Sequence, residues 1–142
     1  EFDNDSFTIG GVEIRARQIH HGDAAMCLGY RIENDGGSLA YLPDVDYADP
    51  EHFESAIDLA QGVDLLIHDS LNREGERPVA GHATDADAVR VGEQADVGQV
   101  MLFHHHPDRS DDEIDSIVAS YAQHRIRVSA AAQGDEIRLS SG

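Results

Sequence analysis

Apolar side chains occupy alternate positions from Phe7 to Ala16 (Phe7, Ile9, then Val12, Ile14, Ala16), and the alternation breaks once, at Gly10-Gly11. A period of two with a glycine pair at its break predicts a β-hairpin over FTIGGVEIRARQI. AMCLGYRIE (25–33) and SLAYL (38–42) predict two more strands joined by the turn NDGG. At Asp49-Pro50 the period changes. Phe53, Ala56, Ile57 and Ala60 keep helical spacing, Pro50 suits a first helical position, and Gly62 ends the run. VDLLIHD (63–69) and QVMLF (99–103) are short apolar runs of the kind buried on both faces. Between them, residues 71–81 have no period and predict a loop. ATDADAVRVGEQA (83–95) predicts a helix with Thr84 and Asp87 as a capping pair. SDDEIDSIVASYA (110–122) repeats that device with Ser110 and Glu113, and Ile114, Ile117, Val118 and Tyr121 form its apolar stripe. IRVSAAA (126–132) and EIRLS (136–140) predict a closing hairpin around Gln133, Gly134 and Asp135.

Strands come first, then strand and helix alternate. This order predicts an α/β (α+β) chain: one domain over 1–142, with a mixed sheet covered by about three helices. In such sheets ligands collect beyond the carboxyl ends of the strands. The chain's polar chemistry falls at those exits. His20 and His21 follow the second strand, Asp44 follows SLAYL, His68 and Asp69 end VDLLIHD, and His104, His105 and His106 end QVMLF. His82 lies just ahead of the helix capped by Thr84, where free N–H groups and the helix dipole favour an anion.

Charge narrows the partners. Asp and Glu number 28 against 10 arginines, with no lysine, for a formal net charge of -18. Such a surface repels polyphosphate, so a nucleic-acid partner would need a local basic groove, and charge argues against one. The same excess also fits a solvated, salt-adapted surface. Cys27 is the one cysteine, so no internal disulfide forms and a reducing, cytoplasmic setting is expected. No apolar run reaches the roughly 18 residues of a membrane span, and EFDNDS does not read as a signal peptide.

Taken singly, a histidine at a strand end is more often a satisfied polar residue than a ligand. Asp44 reads equally well as a turn cap before Asp49-Pro50, His68 as structural, and Asp69 as a loop cap. Agreement among several positions shifts the balance toward a site. His104 stands out, because the last residue of a parallel strand points into the crevice while His105 and His106 alternate away. Two imidazoles and a carboxylate, with no soft thiolate, suit zinc or a similar divalent ion.

The segments IRARQIHHGDAAMCLGYRIENDGGSLAYLPDVD, DLLIHDS and GHATDADAVRVGEQADVGQVMLFHHHPDRSDDE together resemble the carboxyl-terminal half of a metallo-β-lactamase-fold hydrolase, in the branch containing ribonuclease Z and related phosphodiesterases. The likeness runs from about residue 12 to residue 120, with GHAT and LFHHHP in the family's order and spacing. It implies half of an αββα sandwich and two divalent metal ions, zinc foremost, with manganese or iron as alternatives. By position the resemblance makes Asp44 the bridging ligand, His21 a ligand of one metal (with His20 as the alternative), and His104 a ligand of the other. His82, supported by Asp69, takes the role of catalytic acid or phosphate contact.

The family's main metal motif, HxHxDH, is absent from this sequence. Of the roughly seven protein ligands that such a two-metal site takes, the chain holds His21, Asp44 and His104. The expectation is therefore a carboxyl-terminal half whose open apolar sheet face drives homo-oligomerisation or pairing with an amino-terminal half. Complete, it would hydrolyse a small phosphodiester through a metal-activated hydroxide, while this chain alone is expected to be inactive. Competing readings are a lactone or thioester hydrolase, a non-catalytic sensing or interaction domain of the same fold, and an acidic structural domain with incidental histidines.

Overall fold

The computed structural model describes residues 5–22 and 27–139. The hairpin is formed by β1 (Asp5–Ile9) and β2 (Val12–Ile19), with Phe7 opposite Ile14 and Ile9 opposite Val12 across Gly10-Gly11. β3 (Cys27–Asn34) and β4 (Gly37–Leu42) continue the antiparallel meander. Ala25 and Met26, expected to open β3, lie outside the described residues. β5 (Leu65–Asp69), β6 (Gln99–Phe103) and β7 (Arg127–Ala130) then add in parallel, completing one seven-stranded sheet in the order β1 to β7.

Each parallel step is bridged by a helix: α1 (Pro50–Ala60), α2 (Asp85–Gln94) and α3 (Asp111–Ser120). Asp49 caps α1 through the amide of Glu51, and Pro50 stands at the start of the helix, where a missing N–H costs nothing. Both expected capping boxes are present, Thr84 with Asp87 and Ser110 with Glu113. Parallel connections that keep one hand while the sheet grows in one direction put the helices on one face. On that face Ala40, Leu42, Leu66 and Val100 are wholly buried, and they meet Leu59, Ala60, Ala88 and Val91 in one core. A fully buried leucine or valine in this layer contributes about 1.5–3 kcal/mol.

Two expectations need correction. β5 and β6 are not sealed on both faces: Ile67 and Phe103, like Leu39 and Tyr41 of β4, are only half-buried on the side away from the helices. The described part of EIRLS is not a strand either. Residues 131–139 run back over the open face, where Ile137 joins Ile32, Tyr41 and Met101 around an apolar cleft of about 400 Å³, and Leu139 packs on Gly37. Ile137 remains 44% exposed there, so the segment rests on the sheet face without sealing it. Among the described residues, no helix is long and apolar enough to cross a membrane.

Candidate metal centre

The carboxyl ends of β2, β4, β5 and β6 lie at the same end of the sheet, and their exits bring His21, Asp44, Asp69 and His104 together with His82 from the loop before α2. One potential ligand atom from each of His21, Asp44 and His82 lies within 4.8 Å of the other two, and the same holds for Asp69, His82 and His104. His82 belongs to both groups, so the two form one continuous cluster.

Each imidazole is aimed by a partner. His21 Nδ1 donates to the Gly81 carbonyl at 2.6 Å, leaving Nε2 free for a ligand. This contact needs Gly81, whose φ is +88° and whose Cα would carry a side chain only 3.1 Å from the His21 ring. His82 Nδ1 donates to Asp69 Oδ2 at 2.9 Å. Asp69 has no solvent exposure, and the amides of Val45 (3.2 Å) and Leu71 (3.0 Å) also donate to it. A buried carboxylate that accepts this many hydrogen bonds is a fixed anchor for its imidazole.

His104 is the residue left unsatisfied. Its Nδ1 lies 3.1 Å from Asp44 Oδ1 and 3.5 Å from Asp69 Oδ1, yet it is shut off from solvent and makes no hydrogen bond. A buried, partnerless nitrogen facing two carboxylate oxygens fits a divalent cation, as does the hard-to-borderline donor set around it.

Strand alternation does not aim this side chain. β6 ends at Phe103, and His104 follows it with φ +58°, a left-handed conformation uncommon outside glycine. His105 and His106 stay out of the cluster as expected. His105 Nε2 is buried without a partner, and burial, then Arg109 and His104, push its imidazole below the ordinary range. His106 Nδ1 accepts from the Asp108 amide at 3.3 Å.

The other expected roles sort themselves by geometry. In the turn before α1 the Ala48 amide donates to Asp46, and Asp49 caps the helix. His68 is structural. Wholly buried on the helix side, it donates from Nδ1 to the Asp69 carbonyl at 2.7 Å and accepts at Nε2 from the Tyr47 hydroxyl at 2.6 Å, and burial lowers its pKa. The amino end of α2 offers less to an anion than its sequence suggests. The amides of Asp85 and Asp87 are already taken by Asn72 and Thr84, and both side chains there are acidic.

His20 does not join the cluster. Its Nδ1 pairs with Asp46 at 3.0 Å, so between the adjacent histidines His21 is the one beside Asp44. Asp46 and His52, which the strand-exit reasoning passed over, sit with His20, and the doublet His20-His21 was the available signal. A cavity of about 830 Å³ opens beside both groups, lined by His20, His21, Asp46, His82, Asp87 and Arg90 among others.

Residues 1–105 match the family described as beta-lactamase superfamily domain. The chain is 38% identical over 78 residues to Ribonuclease Z of Synechococcus sp. (strain CC9902), covering 53% of this chain and 23% of that protein. It is 30% identical over 86 residues to Ribonuclease Z of Thermoplasma acidophilum, covering 58% and 28%. The metallo-beta-lactamase fold protein YhfI from Bacillus subtilis superposes with a TM-score of 0.76 at 23% identity, over 92% of this chain and 51% of that one. The matched region is thus about a quarter of the curated relatives' length and about half of the solved neighbour's.

Proposed function

The chain belongs to the beta-lactamase superfamily domain family, and on that premise we propose that it is the carboxyl-terminal half of a metal-dependent phosphodiesterase, with His21, Asp44 and His104 as its metal ligands and His82 with Asp69 as its acid pair. The observation that carries this is the buried, partnerless Nδ1 of His104 facing Asp44 and Asp69 inside a cluster assembled from four strand exits. Coverage of about half the solved neighbour supports the reading as a half domain, completed by a segment carrying the HxHxDH ligands or by association with another chain.

Two divalent ions, zinc foremost, would supply Lewis acidity toward the phosphoryl oxygens and an activated water nucleophile. Everything else falls to the chain's own groups. Asp69 holds the proton on His82 Nδ1, which turns His82 Nε2 to the cavity, where it protonates the departing oxygen of the diester. The Gly81 carbonyl holds His21 and keeps the loop before α2 against the site. Arg90 lines the same cavity, pinned by Asp87 at 2.7 Å and by the face of Phe53 at 4.5 Å, and gives an anionic substrate a cation to meet.

The relatives' name, Ribonuclease Z, denotes an enzyme acting on RNA, which weakens the charge argument against a nucleic-acid substrate. A charge of -18 still favours a small diester for this chain, because long-range repulsion grows with the number of phosphates. Native mass spectrometry and metal analysis test the reading. The chain should retain zinc, manganese or iron at neutral pH, Asp44→Ala should remove the metal bound at His21 and His104, and His105→Ala should not. A chain that takes up none of the three after reconstitution rules it out. Hydrolysis of bis(p-nitrophenyl) phosphate compared with a lactone, by this chain joined to an HxHxDH-bearing half, ranks the substrates.

A further inference from the structure

His20 and His21 are neighbours in sequence but serve two different groups, and Asp44 and Asp46 divide in the same way. His21 and Asp44 meet at His82. His20 and Asp46 meet at His52, on the first turn of α1. The two segments are tied by the Asp46 amide, which donates to the His20 carbonyl at 2.9 Å, so the β2 exit delivers one imidazole, and the β4 exit one carboxylate, to either side.

The second group shares no residue with the first. One potential ligand atom from each of His20, Asp46 and His52 lies within 4.8 Å of the others. Asp46 is buried, and Gly22 and Ala48 donate to it from their amides at 2.6 and 3.1 Å. His20 Nδ1 lies 3.0 Å from Asp46 Oδ1, and in the neutral tautomer protonated at Nε2 its Nδ1 lone pair can share an ion with that carboxylate. His52 Nδ1 is shut off from solvent and has no partner, the same signature that marks His104.

We infer that His20, Asp46 and His52 form a second, separate site for a divalent ion of the zinc type. Two imidazole nitrogens and a carboxylate oxygen suit zinc, cobalt or nickel better than calcium or magnesium. The His20 and His52 rings now lie stacked, with centroids 4.1 Å apart and planes 11° from parallel. Parallel rings cannot both direct an in-plane lone pair at one ion, so binding turns the His52 ring and gives its orphaned nitrogen a partner. The site lies on the wall of the 830 Å³ cavity, to which His20 and Asp46 contribute beside His21 and His82. It stands independently of the hydrolase reading.

Zinc titration of the Asp44→Ala chain tests the inference, because that substitution disables the first group and leaves the second intact. This variant should still bind one equivalent of zinc, and adding His52→Ala should weaken that binding at least tenfold with the far-ultraviolet circular dichroism unchanged. His52→Ala alone should leave the metal held by His21, Asp44 and His104 in place. No zinc bound by Asp44→Ala, or equal affinity with and without His52→Ala, overturns the inference. Should Asp44→Ala unfold the chain, zinc stoichiometry of His52→Ala against the unaltered protein decides: one equivalent fewer is expected, and equal stoichiometry and affinity overturn the inference.

Discussion

His82 Nδ1 meets Asp69 Oδ2 at 2.9 Å, and the carboxylate that receives it is entirely out of solvent. Asp69 therefore does two jobs, orienting an imidazole and satisfying the amides of Val45 and Leu71. Asp69→Asn keeps the shape and places an amide where the carboxylate anchored His82. We expect it to lower phosphodiester turnover by the completed domain about 100-fold while metal content stays unchanged. Asp69→Ala removes the acceptor altogether and should cost about 3 kcal/mol in urea unfolding, since it orphans buried N–H groups. Unchanged turnover in Asp69→Asn would refute the acid-pair assignment.

His104 is held at φ +58° immediately after β6. Alanine there keeps the backbone penalty, whereas glycine removes it. His104→Gly should accordingly be about 1 kcal/mol more stable than His104→Ala, while both lose the metal held with Asp44. Comparison of thermal midpoints of the two metal-free variants checks this, and equal midpoints would mean that the backbone conformation stores no strain.

The buried His68 carries a pH dependence whose sign can be worked out. Burial depresses its pKa in the folded state, so as pH falls through the ordinary value near 6.5 the unfolded chain takes up a proton that the folded chain refuses. Stability from this residue is complete above that pH and is lost on acidification toward and through the lower folded value. His105 acts in the same direction. The urea unfolding free energy of the metal-free chain should fall between pH 7 and pH 5, and His68→Gln should reduce the slope. An unchanged slope in that variant would place the acid sensitivity elsewhere.

Gly92 lets α2 settle onto the sheet. A Cβ there would lie 2.2 Å from Val100 Cγ2 and 3.2 Å from Ile126 Cδ1. Alanine improves helix propensity by up to about 1 kcal/mol but overpacks the core by about 1–3 kcal/mol, so Gly92→Ala should be net destabilising by about 1–2 kcal/mol. Chemical denaturation measures it, and a stabilised variant would mean that the helix can shift outward without loss.

The helices and strands were legible because local signals agreed: Asp49-Pro50, the Thr84–Asp87 and Ser110–Glu113 boxes, and the alternation around Gly10-Gly11 all specify what they form. The rest depended on distance in the chain. EIRLS carries a strand pattern, but nothing local records that its apolar side chains lie over a sheet face built from residues 30 to 103. His104 reaches the cluster by a route other than strand alternation, and a left-handed residue leaves no trace in hydrophobic periodicity. His52 lay on a helix that looked wholly structural, and only the fold brings its ring to His20 across 32 positions of sequence.

The strand order β1 to β7 has a consequence for how the chain is assembled. Every strand pairs with the one synthesised before it, so a nascent chain emerging from the ribosome always presents the edge that the next strand requires. None waits for a distant partner, and the closure entropy at each step is only that of a short turn or one helical connection. The residues of the metal centre join in the same sequence, His21 first and His104 last, so the cluster is complete only once six of the seven strands are in place.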